Sequence, residues 1–300
     1  MTLIVICGAT ATGKSDLAVD VAKEIGAEIV NADSMQLYRG MDIGTAKLSV
    51  DERQGIAHHL LDIAEVSTDV TVSWYQEIAR TKIDELLAAE KPVVIVGGTG
   101  FYIKAILDDL NFPATDPEVR AKLTEEAERI GATAMHNRLG TLDPAAAAAI
   151  PKENVRRVVR ALEVIEITGK PFTANLPRQD STRYPQAQQF GLKVDRALLD
   201  ERIDARVEKM WESGLEIEVE KLIEMGLLEG KTAQAALGYA QIISAKSGLS
   251  ADPKTETKIA TRQYARRQET WFTRDERISW LEPASTSVHL ERVLASIIKS

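Results

Sequence analysis

Eight residues near the N-terminus, Gly8-Ala9-Thr10-Ala11-Thr12-Gly13-Lys14-Ser15, constrain this chain more than any other feature of it. They match G-x-x-x-x-G-K-[ST], and they stand in the context that pattern needs. The apolar run Leu3 to Cys7 precedes them, and Ser15 to Ile25 follows with Leu17, Ala18, Val21, Ala22 and Ile25 at helical spacing. Glycines let successive backbone N–H groups wrap a phosphate at a helix N-terminus, Lys14 adds a point charge, and the Ser15 hydroxyl suits Mg²⁺. A chance glycine turn would not sit between such a strand and such a helix.

The same alternation continues. Glu28 to Ala32 and Val93 to Val96 read as strands, and Trp74 to Ala89 reads as a helix with Ile78, Ile83, Leu86 and Leu87 on one side. Continuous apolar strands separated by helices imply an α/β fold, a P-loop NTPase-like parallel sheet covered on both faces. From Asp116 to Ile150 no strand candidate occurs, only helix formers and the alanine run Ala145 to Ala149, closed by Pro151. The expected organisation is therefore a core domain from 1–112 and 151–300, interrupted by a small all-helical insertion at 113–150. Within the later core, Val155 to Thr168 is a helix stopped by Gly169 and Pro171, and Phe190 to Val194 a strand. Segments 196–213, 215–225 and 254–272 are helical, Ile278 to Leu281 is a late strand, and Leu290 to Ile298 a final helix.

The phosphate loop does not choose the chemistry. A nucleotide hydrolase needs a second strand ending in a carboxylate, but Val93 to Val96 runs into Gly97-Gly98-Thr99-Gly100. No D-x-x-G tetrad exists, and Thr81-Lys82-Ile83-Asp84 falls inside a predicted helix, which argues against a GTPase. The apolar run that does end in an acid is Ile29 to Asp33. It places Asp33 at the carboxyl edge of the sheet, where ligands of open α/β sheets bind. From that position alone Asp33 is a magnesium ligand, a general base, or the cap of the following turn.

With 37 Lys and Arg against 45 Asp and Glu, the net charge is −8, so a polyanion would have to be held by local basic stripes. Two exist. Lys152 to Arg160 carries a local +3 and Lys254 to Arg267 a local +4, with Arg156 and Arg160 on one helix face and Arg262 and Arg266 on another. A lone row of this kind is ordinarily a solvated face with neighbouring acids; two rows in a chain with a phosphate loop favour a phosphate-bearing partner. Glu208 to Glu224, with six acids and two lysines, is expected to face away from it. Trp271 and Tyr264 are assigned to the core, as is Cys7; His58 and His59 are adjacent and cannot chelate one ion together on a strand. His136 and His289 are isolated, in surface or capping positions. One cysteine excludes an internal disulfide, and no window approaches about 18 apolar residues. A cytoplasmic chain with no membrane span is expected.

The stretch from Asn31 to Lys47, Asn-Ala-Asp-Ser-Met-Gln-Leu-Tyr-Arg-Gly-Met-Asp-Ile-Gly-Thr-Ala-Lys, resembles the signature of the tRNA dimethylallyltransferases, also called tRNA isopentenyltransferases. The phosphate loop, Val96 to Tyr102, Asp116 to Arg120, Arg160 to Val164 and Thr261 to Gln268 recur in that family in the same order, so the resemblance covers nearly the whole chain. It implies transfer of a dimethylallyl group from dimethylallyl diphosphate to the N6 amine of adenosine 37, beside the anticodon of tRNA. In that scheme Asp33 is the general base, the loop from Gly8 to Ser15 holds the diphosphate with Lys14 as a catalytic cation, and Mg²⁺ sits on Ser15. Thr99 lies against the reacting nucleotide. The tRNA anticodon stem-loop would meet Asp33, Ser34, Met35, Gln36, Thr99, Arg120 and the run Arg156, Arg157, Val158, Val159, Arg160, on a monomeric enzyme.

Departures from the family pattern are Ala9 for a usual proline, Arg156 for a frequent glutamine, and Ala235 where some relatives have arginine. The last leaves Arg262, Arg266 or Arg267 as candidate leaving-group or tRNA contacts. A small-molecule or nucleotide kinase shares the loop, the sheet and a helical lid. It does not account for the segment from Asp33 to Lys47 or for two basic helices.

Overall fold

The computed structural model describes residues 2–175 and 182–298. Among these, strands β1 (Leu3–Cys7), β2 (Glu28–Asn31), β3 (His58–His59), β4 (Val93–Gly97), β5 (Gln188–Leu192) and β6 (Ile278–Leu281) form one sheet in the order β3-β2-β4-β1-β5-β6. Every pairing is parallel, with Leu3 opposite Val93 and Glu28 opposite Val93 on its other side. A parallel sheet needs apolar residues on both faces, and β1 supplies them alternately. Val5 and Cys7 pack with Tyr75, Ile83 and Ile103 from helices α2 (Val72–Ala88) and α3 (Gly100–Leu107). Ile4 and Ile6 pack with Leu17, Val21 and Val293 from α1 (Lys14–Ile25) and α12 (Thr286–Ile298). Cys7 is fully buried, as expected of a small strand hydrophobe, and burial pushes its thiol up to about 12.

Differences from the sequence reading have local causes. The fifth strand begins two residues early because Gln189, polar and read as loop, lies buried between β1 and β6. β3 is too short to carry a periodic signal. The glycine-rich end of β4 leads straight into α3, and α10 (Tyr239–Lys246) has little amphipathic pattern; neither was expected as a helix.

The domain boundary also needs correction. The chain divides into one unit of Met1–Leu107 with Tyr184–Ser300, and a second of Asp108–Arg183, larger than the expected 113–150 insertion. The reason is the apolar face of α7 (Val155–Thr168). It closes the core of the second unit with α4 (Pro117–Ile130), α5 (Ala132–Leu142) and α6 (Pro144–Ala149), through Leu123, Met135, Leu139, Val158 and Leu162. Asp116 caps α4 by accepting the N–H groups of Glu118 and Val119 ahead of Pro117.

Four of the expected tRNA contacts lie in this unit. Val158 and Val159 are buried in its core among apolar side chains. Glu163, fully buried on α7, accepts from Arg120 Nε at 3.0 Å and Nη2 at 2.8 Å, pairs with Arg160 Nη1 at 2.9 Å, and accepts the Asp116 N–H at 3.0 Å. Burial opposes its charge, but the bonds from Arg160, Arg120 and Asp116 outweigh it and hold the carboxyl below its ordinary range. Arg160 also donates to the Pro113 carbonyl at 2.8 Å. Arg120 and Arg160 thus hold the bundle together, whereas Arg156 and Arg157 stand exposed.

Val158→Ala is expected to lower stability by about 2 kcal/mol through the cavity it leaves, while Arg156→Ala and Arg157→Ala stay within about 0.5 kcal/mol. Urea unfolding followed by circular dichroism checks both.

Candidate active site

The phosphate loop leaves β1 through Gly8 at φ 143° and enters α1 through Gly13 at φ 89°, a left-handed backbone that a side chain would strain. Within it Thr12 Oγ1 donates to the Ala9 carbonyl at 2.9 Å, and Lys14 Nζ to the same carbonyl at 3.2 Å. A second support comes from far away in the chain. Gln268, buried on α11 (Pro253–Phe272), accepts the Thr10 N–H at 2.9 Å and donates to the Gly98 carbonyl at 2.8 Å. Its side chain ties the loop after β1 to the loop after β4.

Two cations converge on this loop. Burial, aided by the neighbouring Arg206 charge, lowers Lys14 to about 8, against the pull of Asp33. Arg206, on α8 (Arg196–Glu212), donates from Nη1 to Thr10 Oγ1 at 3.3 Å, and burial lowers its pKa despite Asp16 and Asp33. Both line an open cleft of about 810 Å³ that also takes in Ser15, Asp33 and Gln36. Sequence reasoning missed Arg206, which lies in a run of alternating charges that reads as a solvated helix. It also left Gln268 without a role.

Asp33 is held from the backbone outward. The Ala32 N–H donates to the Val96 carbonyl at 2.7 Å and the Thr99 N–H to the Ala32 carbonyl at 3.3 Å. A Cβ on Gly97 would stand 2.2 Å from the Ala32 oxygen, so only glycine permits β4 to pass so close to β2. Buried Asn31 accepts the Asp33 N–H at 3.0 Å and donates to the Asp33 and Leu60 carbonyls at 3.0 and 3.1 Å. Asp33 Oδ1 accepts the Met35 N–H at 2.9 Å. The turn-capping role foreseen for Asp33 is therefore real, and it occupies only one carboxylate oxygen. Thr99 Oγ1 accepts the Ser34 N–H at 3.1 Å and faces Ser34 Oγ at 3.3 Å. Beside them the phenol of Tyr264 is pushed up to about 12 by burial and by the charge of Asp33, so it remains a neutral hydrogen-bonding group. Met35 packs toward the Tyr38 and Met41 cluster, and the Gln36 amide donates to the Thr45 carbonyl at 3.1 Å.

The second basic row is largely neutralised, in part by Glu208, an acid expected to point elsewhere, and in part by Asp204. Lys254 pairs with Glu208 at 2.8 Å, Lys258 pairs with the same carboxylate, and Arg262 pairs with Asp204. Arg262 is thus committed to α8. Arg266 and Arg267 are exposed, the latter 5.7 Å over the Tyr264 ring. Trp271 is not core as expected: it is 44% exposed and meets Phe101 edge-on at 6.3 Å. Two of the histidines hold carbonyls, His136 those of Ala147 and Ile150, and buried His289 that of Glu282.

Because Lys14 is lowered in the folded state to about 8 from an ordinary 10.5, the unfolded chain binds more protons between those values. Stability from this group must then rise with pH across that window, the burial cost being fully present below pH 8. Lys14→Met should accordingly stabilise the ligand-free protein at pH 7, by of order 1–3 kcal/mol, and the gain should shrink as the pH approaches 10.5. Thermal melts of both proteins across that range test it.

Comparison with known proteins places this site in a family. A tRNA dimethylallyltransferase of Thermobifida fusca is 55% identical over 287 residues, covering 93% of this chain and 89% of the relative. One of Streptomyces avermitilis is 53% identical over 288 residues, covering 95% and 92%. Among solved structures, the full-length tRNA isopentenylpyrophosphate transferase of Bacillus halodurans superposes with a TM-score of 0.72 at 34% identity, covering 99% of this chain and 96% of its own. A eukaryotic dimethylallyltransferase, described as acting on tRNA, gives 0.79 at 27% identity, covering 95% of this chain and 75% of its own. The family model for IPP transferase matches residues 36–275, a span that runs from Gln36 beside Asp33 to the end of α11, and the chain belongs to that family.

Proposed function

We propose that this protein transfers the dimethylallyl group of dimethylallyl diphosphate to the N6 amine of adenosine 37 in tRNA, releasing diphosphate. The observation that carries the reading is the opening of Asp33 and the phosphate loop, with Lys14 and Arg206, into one cleft. A proton acceptor and an anion cradle are what this chemistry needs side by side.

An adenine amine is a weak nucleophile because its lone pair is delocalised into the ring. As the new N6–C1 bond forms, the C1–O bond of the donor breaks and its electron pair leaves with the diphosphate. Asp33, with Oδ1 engaged by Met35, takes the amine proton on Oδ2. Charge develops on the leaving diphosphate, beside the loop and the cations Lys14 and Arg206 that line the cleft; donors held in place there stabilise that charge most in the transition state. Arg206 takes the leaving-group role that the missing arginine at Ala235 left to Arg262, Arg266 or Arg267. Thr99 and Ser34 set the position of the acceptor base, which must leave its stack to reach the cleft.

Ser15, at the first turn of α1 in the same cleft, fits Mg²⁺. The described residues hold no cage of three acidic or histidine side chains, and Mg²⁺ commonly takes one or two protein oxygens with waters and substrate phosphates. When bound there, the ion would neutralise diphosphate charge. Exposed Arg156 and Arg157 contact tRNA phosphates, and Arg266, Arg267 and Trp271 offer a second cationic and aromatic surface. No helix among the described residues is long and apolar enough to cross a membrane, and we place the enzyme in the cytoplasm as a monomer.

Incubation with labelled dimethylallyl diphosphate and unmodified tRNA tests the reading, with labelled ATP and small acceptors in parallel. Label in tRNA supports it, and phosphoryl transfer in its place would make the protein a kinase. Asp33→Asn keeps the turn but cannot accept the proton, so turnover should fall roughly 10²- to 10⁴-fold with little change in substrate binding. Recovery of the rate in excess Mg²⁺ would instead make Asp33 a metal ligand. Replacing Arg156 and Arg157 together by alanine should reduce the logarithmic salt slope of tRNA binding by about two; an unchanged slope would mark them as solvated.

A further inference from the structure

Glu218, on α9 (Leu215–Glu224), belongs to neither the phosphate loop nor the Asp33 turn. Its carboxylate accepts the N–H groups of three successive residues, Asp42 at 3.2 Å, Ile43 at 2.8 Å and Gly44 at 3.2 Å, together with the hydroxyl of buried Tyr239. Successive N–H groups converging on one point make a concave anion seat, and here a side chain of the protein fills it. The fit is close. A Cβ on Gly44 would stand 2.3 Å from the Tyr239 ring, so the backbone reaches this position only as glycine. Burial, with the adjoining Glu218 charge, pushes the Tyr239 phenol well above its ordinary range, which keeps it a donor.

The seated backbone is a wall of the catalytic cleft, since Asp42, Ile43 and Thr45 line the same space as Thr10, Lys14 and Arg206. Lys47, 3% exposed, fastens the far end of this wall to Asp42 and Asp62, both at 2.6 Å, and to the Tyr38 carbonyl. On its other side, α9 is joined through Gly214 to α8, the helix that carries Arg206 to Thr10. One carboxylate therefore couples the 42–44 wall to the helical hairpin that presents a cation to the phosphate loop. Asp33 does not hang from this coupling; Asn31, Met35 and Ala32 hold it locally.

We infer that Glu218 is a positioning residue for the transfer reaction. By seating the N–H groups of 42–44 it fixes the width of the cleft between that wall and the Lys14–Arg206 side, and so sets how tightly the prenyl diphosphate is held. This rests on the transferase reading above.

Initial rates with the full chain at saturating tRNA, varying dimethylallyl diphosphate, test it. Glu218→Gln keeps the shape but removes the charge and turns an amide NH₂ toward a ring of donors. The donor KM should rise about tenfold and binding of inorganic diphosphate should weaken in parallel, with kcat within about threefold and tRNA Kd within about twofold of the parent. Hydrogen exchange should accelerate at the amides of 42–44 and stay unchanged in the phosphate loop. An unchanged donor KM would overturn the proposal. So would equal losses in donor KM, kcat, tRNA affinity and melting temperature, the pattern of a merely structural residue. If Glu218→Gln does not fold, Tyr239→Phe removes one of the four donors and keeps the carboxylate. It should raise the donor KM two- to threefold, and no rise would overturn the proposal. A parent enzyme that moves no label into tRNA would refute the transferase reading and this proposal together, whereas an active parent with an unaffected Glu218→Gln refutes only the proposal.

Discussion

Strands β2 and β4 meet backbone to backbone at Ala32 and Gly97, and the rest of the site depends on that contact. Neighbouring parallel strands end at one edge of a sheet, but side chains usually keep the outgoing loops apart. Here glycine removes the obstruction, and two hydrogen bonds, Ala32 to Val96 and Thr99 to Ala32, stitch the outgoing chains together past the last strand residues. Asp33 and Thr99, 66 positions apart in sequence, become neighbours on one rigid ledge. The phosphate loop, leaving β1 on the other side of β4, joins that ledge through the Gln268 amide, which holds Thr10 and Gly98 at once. Asp33 and Thr99 are thereby set by main-chain geometry, and the loop from Gly8 to Ser15 is set against them by one buried side-chain amide.

The ionic groups divide into two kinds. Glu163 and Lys47 are enclosed and Glu218 is half-buried; each is held by several partners at once and so acts as a fastening. Removing one partner from such a group leaves the other desolvated and unanswered, a large cost in stability. Lys14 and Arg206 are enclosed too, yet they face each other as like charges and answer mainly to carbonyl, hydroxyl and more distant carboxylate groups. Their pKa values are lowered chiefly by burial, the cost of holding two cations out of water beside the cleft, and an anionic ligand bound there would offset that cost.

Much of this was legible in the sequence. The glycine spacing and Lys14 announced the phosphate loop, five of the six strands followed from apolar runs, and Asp33 was found because one run ended in an acid. What escaped was information held by partners distant in the chain. Nothing near Arg120 reveals that Glu163, 43 positions on, claims it, whereas the Arg160–Glu163 pair is an i,i+3 spacing on α7 that the sequence itself displays. Val158 and Val159 lie between arginines in the motif, and helical periodicity puts their side chains on the apolar face of α7. The basic row on α11 was overrated for the same reason, since the acids that neutralise Lys254, Lys258 and Arg262 lie on α8. Arg206 had no local mark at all; only the approach of α8 to Thr10 makes it part of the site. Periodicity reports which face is buried, while the identity of the charge across an interface is a tertiary fact.

The Gln268 bridge bears on how the protein is born. Thr10 and Gln268 are separated by 258 residues, and β5 and β6, which complete the sheet beside β1, also come late. At ribosomal speeds of about 5–20 residues per second, the phosphate loop waits roughly 13–50 s for the residue that braces it. Until residues 188–192 are made the nascent chain displays β1 with its β5 edge open, and throughout the interval the glycine-rich loop lacks its amide support. The site that sequence comparison would recognise first is among the last to be finished on the ribosome, and a truncated product ending before α11 would keep the motif without the brace that shapes it.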